Sequence, residues 1–117
     1  MEELSNGSLL TNNYTRIFYK EDPETIAPCY FRVETLKEEP LAHINFQHGP
    51  VKEKGVNGVS NEDLINMVLK RLSAFQETEY KCRENAEAIT KLEESLMWLR
   101  KRTSDREIRN VVGASSV

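Results

Sequence analysis

Apolar residues follow two different spacings along this chain, and the change comes near residue 60. Ahead of it, Tyr14-Thr-Arg-Ile-Phe-Tyr19, Cys29-Tyr-Phe-Arg-Val-Glu-Thr35 and Leu41-Ala-His-Ile-Asn-Phe-Gln47 are short runs rich in aromatic and β-branched residues, interrupted by Lys20-Glu-Asp-Pro23, Pro28 and Pro40. They predict three strands in an antiparallel meander. In the third, Ala42, Ile44 and Phe46 alternate with His43, Asn45 and Gln47, as a sheet with one buried and one wetter face requires. Such a small sheet does not stand alone. Residues 1–12 are polar and predict a loosely ordered lead-in.

After it, the period lengthens to three and four. Ser60 precedes Asp63 by three residues, a capping-box pattern, and Leu64, Ile65, Val68, Leu72 and Phe75 then form an apolar stripe that predicts a helix to about Gln76. A short link, Glu77-Thr-Glu-Tyr80, leads to a second stripe of Cys82, Ala86, Ile89, Leu92, Leu96 and Leu99, on a helix expected to end near Arg109, with Gly113 and the serines beyond it frayed. Two amphipathic helices joined this closely fold back as an antiparallel pair. Between sheet and hairpin, His48 to Val59 holds three glycines, one proline and two lysines with neither period, and reads as a shaped loop. The expected fold is α+β: a small N-terminal antiparallel sheet, then a long two-helix hairpin, in one domain over 1–117 divided as 14–59 and 60–109.

Composition adds an expectation of assembly. With 117 residues, 38% apolar and 30% charged, the chain is surface-rich, and small domains of this kind often bury more surface by self-association. The net charge of −3 argues against coating a nucleic-acid polymer, which needs a basic excess across a face. Positive charge is local: residues 100–109 carry five basic and two acidic groups, net +3, against −6 for residues 1–99. The acidic, polar start is unlike a secretory signal, and no apolar run approaches membrane-spanning length. Cys29 and Cys82, in no Cys-x-x-Cys pattern, are expected as reduced, mostly buried thiols, with a single bridge as the alternative.

Three constellations could carry chemistry. Gly49, Gly55 and Gly58 around Lys52 and Lys54 invite comparison with phosphate loops but match neither Walker A nor Gly-x-Gly-x-x-Gly, so the loop either turns sharply or touches a ligand through its amides and lysines. Arg102, Arg106 and Arg109, at i, i+4 and i+7, share one helix side. They are either a solvated face that offsets the helix dipole or a fork for phosphate oxygens, with Asp105 and Glu107 near enough to neutralise some of the charge. Phe75 and Asn85 meet near the hairpin turn, as core and cap or as a base-stacking face and a base-pairing amide. The arginines stand some 25–30 Å from that turn, so one chain does not hold both ends on one ligand; two hairpins paired antiparallel would. His43 and His48 are expected as surface polar groups, and Met97 and Trp98 as core or subunit interface. No arrangement suggests a nucleophile, metal or cofactor site.

The residues Phe46-Gln-His-Gly-Pro-Val-Lys-Glu-Lys-Gly-Val-Asn-Gly-Val59, Asn61-Glu-Asp-Leu64, Phe75-Gln76, Cys82-Arg-Glu-Asn-Ala86, Ala88-Ile-Thr-Lys-Leu-Glu93, Trp98-Leu99 and Arg102-Thr103 closely resemble a family of small phage proteins. These are the anti-Thoeris nucleotide sponges, which share a hairpin domain with the anti-CBASS sponges. The sheet ahead of the hairpin fits the anti-Thoeris branch better. The resemblance implies a non-catalytic protein in the cytoplasm of the infected bacterium. It would sequester glycocyclic ADP-ribose, which TIR enzymes make from NAD, and some members also hold cyclic di- or trinucleotides. It implies homodimers that can combine into hexamers. On matching positions, Phe75 would stack the base, Asn85 contact its edge, and Arg102 and Arg106 face the phosphates, with Arg109 and the glycine loop, Lys52, Asn57 and Gly58, nearby. The tail departs from the family pattern at Asn110 and Ala114. Two further readings remain: a cyclic-nucleotide hydrolase, and a helical hairpin that binds an acidic protein.

Overall fold

The computed structural model describes residues 1–5 and 14–108, so Arg109 and the expected frayed tail lie outside the described residues. The chain divides into two compact units, Met1–Val59 and Ser60–Val117.

In the first unit, β1 (Glu2–Glu3), β2 (Thr15–Tyr19), β3 (Tyr30–Thr35) and β4 (Pro40–Asn45) form one antiparallel sheet in that order. The three predicted strands are present; β1 is an addition. It falls in the segment expected as a loose lead-in, and it is held by pairing to β2, by the Leu4 amide donating to the Ile17 carbonyl at 2.8 Å, and by Glu3 lying 3.6 Å from Arg16. Two glutamates carry no strand signal of their own, so only the partner strand makes this segment extended.

Register then assigns the faces. Ile17, Val33 and Ala42 stand side by side on one face with Tyr19, Phe31 and Ile44. There Phe31 packs edge-on to Phe46 at 5.5 Å and tilted to Tyr19 at 6.1 Å, in the geometry aromatic quadrupoles favour. The opposite face is polar: Arg16 faces Glu34, and Arg32 lies between Phe18 and His43. The Arg32 guanidinium stacks over Phe18, and its Nε lies 2.9 Å from Glu34, a charge contact rather than a directed hydrogen bond. His43 is exposed and its Nδ1 shares a 2.6 Å hydrogen bond with Tyr30.

The segment after β4 is more ordered than a period-free loop implies. Val51–Lys54 makes one helical turn (α1), preceded by Gly49 and followed by Gly55, both in left-handed conformations. Asparagine and glutamine side chains tie it together. The Asn57 amide accepts from the His48 N–H at 2.9 Å and donates to the His48 carbonyl at 2.8 Å, while Gln47 accepts from the Asn57 N–H and donates to the Gly49 and Gly55 carbonyls. Gly58 has a different requirement: a Cβ there would lie 2.4 Å from the Phe46 carbonyl carbon, because the chain runs back against the end of β4.

In the second unit, α2 (Asn61–Phe75) and α3 (Arg83–Ile108) form the expected pair. The capping box is complete, with Asp63 N–H donating to Ser60 Oγ at 3.1 Å and Ser60 N–H donating to Asp63 Oδ2 at 2.9 Å. The packed stripe differs from the expected one in detail. On α2 it is Leu64, Ile65, Leu69 and Leu72 that are half-buried, whereas Val68 and Phe75 are exposed at 47% and 37%. On α3, Asn85, Ala88, Ile89, Leu92, Leu96 and Leu99 are half-buried, and Cys82 and Ala86 are exposed. A spacing of three and four tolerates a shift of one residue around the helix, and packing against the partner helix chose the shifted set. Both cysteines are free; Cys82 is exposed rather than buried. Among the described residues no apolar side chain is fully buried in either unit. Gly58→Ala is therefore expected to destabilise the fold by about 1–3 kcal/mol, read as a fall of several degrees in melting temperature, whereas Gly55→Ala, with open space around it, meets only the cost of its positive φ.

Candidate functional site

Two clusters stand at opposite ends of the hairpin, and the helix between them sets their separation. At the turn end, Gln76 closes the link between helices: its Oε1 accepts from the Cys82 N–H and its Nε2 donates to the Cys82 carbonyl, both at 3.0 Å. The Thr78 hydroxyl donates to the Phe75 carbonyl at 2.6 Å and accepts from the Tyr80 N–H. Phe75 is the last residue of α2 and keeps 37% of its surface exposed instead of plugging a core. Asn85 sits in the first turn of α3, half-buried, and is not the helix cap; its backbone N–H donates to the Cys82 sulfur, which takes that place.

Sequence reasoning overlooked a further part of this end. One turn before Phe75, Arg71 lays its guanidinium 5.2 Å over the Phe75 ring. Arg71, Phe75, Lys70, Met67, Ala74 and Thr78 line an open groove of about 450 Å³. The i, i+4 spacing of Arg71 and Phe75 was the available signal. No described carboxylate lies within ion-pair distance of Lys70 or Arg71.

At the far end stand Arg102 and Arg106. On the same stretch of α3, Lys101 Nζ lies 2.8 Å from Asp105 Oδ2. Arg102 is exposed. Arg106 is half-buried, and its Nε, closed to solvent, has no hydrogen-bond partner among the described residues. A buried donor left in this way costs free energy until an acceptor meets it. Since α3 has 26 residues and α2 has 15, α3 outruns its partner by about 16 Å. The arginines lie on that overhang, about 25–32 Å from Asn85, so Phe75 and Asn85 both stand at the turn end and Arg102 and Arg106 at the other.

Lys52, Asn57 and Gly58 belong to the first unit. Lys52 is exposed on α1. The Asn57 amide is engaged with His48, and Gly58 answers a steric demand, so both have a local role independent of any ligand. No group of three or more His, Cys, Asp or Glu side chains suited to a metal ion occurs among the described residues, and no described helix is long and apolar enough to cross a membrane.

A sheet unit is followed by a helical hairpin with an exposed aromatic at its turn end and, at the other end, arginines that pair with no carboxylate among the described residues. Residues 38–104 match the family model described as "Acb2/Tad1, hairpin domain", and the chain belongs to that family. It is also 67% identical over 139 aligned positions to Thoeris anti-defense 1 of Bacillus phage SBSphiJ7, with 97% of each chain covered. The matched region takes in Phe75, Asn85 and Arg102, with Arg106 just beyond it. Asn57→Ala is expected to lower the melting temperature by the equivalent of about 1–2 kcal/mol, through loss of its two bonds to His48, and calorimetric melting of the two proteins side by side measures it.

Proposed function

We propose that the protein is a phage anti-defence sponge that counters Thoeris by binding glycocyclic ADP-ribose and holding it unchanged in the cytoplasm of the infected bacterium. The observation that carries this reading is the division of one ligand's recognition groups between the ends of α3. An exposed Phe75 with Asn85 suits a base, and Arg102 with the unpartnered Arg106 suits a diphosphate. A single hairpin keeps them apart, so the complete site takes Phe75 and Asn85 from one copy and Arg102, Arg106 and Arg109 from a second, in an antiparallel homodimer. The name of the close relative supports the anti-Thoeris assignment.

Self-association has independent support. Met67, Tyr80, Met97 and Trp98 are 60%, 67%, 70% and 65% exposed on a hairpin without a fully buried apolar side chain among its described residues. Apolar exposure on this scale is covered in stable small proteins by a second chain. Affinity points the same way. A sponge working near nanomolar concentration needs about 12 kcal/mol, and a ligand of about 35 non-hydrogen atoms yields only about 10 or 11 at usual efficiencies, so it must be nearly enclosed. Two hairpins closing on it provide that; one open groove does not. Dimers that pair further into hexamers would offer additional sites between them, where cyclic di- or trinucleotides bind.

Three outcomes test this reading. Messenger incubated with the protein, freed of excess and released by heating is expected to elute unchanged in chromatography; a cleaved product would identify a hydrolase. Arg106→Ala is expected to weaken binding about 10–100-fold in calorimetry, the loss of a charge-assisted bond, with the melting temperature retained. Mixing Phe75→Ala with Arg106→Ala protein is expected to restore one working site per mixed dimer, because one pairing brings together an intact Phe75 and an intact Arg106. No recovery after subunit exchange would exclude a site shared between chains.

A further inference from the structure

The groove on α2 holds more than an aromatic shelf. Phe75, Lys70 and Arg71 all line it, and no described carboxylate pairs with either cation. Along α2 the acidic side chains, Glu62 and Asp63, are confined to the first turn, and Asp63 is spent on the cap. Two cations therefore share a groove with one aromatic ring, and no described carboxylate pairs with them. The Arg71 guanidinium rests on the ring face itself, 5.2 Å from its centre. An exposed cation–π contact is weak, and a planar base has the same affinity for that face with far more area to offer. A guanidinium is also flat, and stacks on a base as readily as on a benzene ring while its N–H groups reach phosphate oxygens.

We propose that Arg71 is a ligand-contacting residue that lifts from Phe75 to admit the base, closes on its outer face, and with Lys70 supplies part of the phosphate recognition from the same hairpin that supplies the aromatic ring. The inference rests on the reading of Phe75 and Asn85 as the base site. It extends that reading in one respect: the turn end is a nucleotide half-site in its own right, holding base and phosphate together, and does not depend on a second copy for all its positive charge. The ligand class is a purine nucleoside carrying at least one phosphate near the base. A groove of about 450 Å³ is within the range of small-molecule sites, and its openness on one side makes it a weak site until a second chain covers it.

The experiment uses the full chain with AMP and adenosine as probes, followed by nuclear magnetic resonance titration and by calorimetry, with oligomeric state read by light scattering. Wild-type protein is expected to bind AMP more tightly than adenosine, with signals of the α2 face and Asn85 shifting. Arg71→Ala is expected to lower AMP affinity about 10-fold or more while leaving adenosine within about 3-fold, and Arg71→Lys to recover only part of the loss, because it keeps the charge without the stacking plane. Lys70→Ala is expected to reduce the AMP preference further without changing assembly. If Phe75→Ala and Asn85→Ala bind both probes as wild type does, the base site itself is overturned. If those two lose binding but Arg71→Ala keeps full AMP affinity, the role of Arg71 alone is overturned. If Arg71→Ala changes the oligomeric state and the affinities for both probes equally, Arg71 is an interface residue and the proposal fails.

Discussion

An α-helix rises by about 1.5 Å per residue whatever its sequence, and that inflexible ruler governs this protein. From Arg83 to Ile108 the helix is unbroken, so groups at its two ends are held apart as firmly as if on a rod. Everything at the turn, the Gln76 clasp on Cys82, the exposed Phe75 and the first-turn Asn85, is a local matter of closing a hairpin. The arginines beyond the reach of α2 are equally local to the far end. Under the proposed function, recognition that needs both ends comes from geometry between chains.

The two units answer different physical demands. The first spends its sequence on backbone: cross-strand register, two glycines with positive φ, one glycine against which the chain closes, and amide side chains that bind carbonyls and N–H groups of a loop. The glycines and polar side chains of the loop after β4 are thus largely committed to holding that loop's shape. In the second unit the polar groups have the opposite character. Lys70, Arg71 and Arg106 are not consumed by ion pairs with described carboxylates, and Met97 and Trp98 are not consumed by a core. Charge and apolar area are thus both left exposed on the same hairpin.

Comparison of elements explains what was readable. Three strands and two helices could be drawn from periodicity because each repeats its signal over several residues, and the capping box at Ser60 and Asp63 marks a start with two bonds that depend only on neighbours. β1 could not, since Glu2 and Glu3 become a strand only through β2. The turn of helix at Val51–Lys54 is too short to show a period. The helix faces were legible to within one residue: Val68 and Phe75 fit the apolar stripe as well as Leu69 does, and only the partner helix distinguishes them.

By itself, then, the order of residues determined the α+β class, the hairpin and the distance between the hairpin's ends, because these follow from local periodicity and a fixed helical rise. The tertiary structure decided which way each side chain of a near-equivalent pair turned. It exposed Phe75 and laid Arg71 over it, gave Asp105 to Lys101 and left the Arg106 Nε without an acceptor among the described residues. Those outcomes depend on rotation about a helix axis and on competition among neighbours, which spacing in one dimension does not encode.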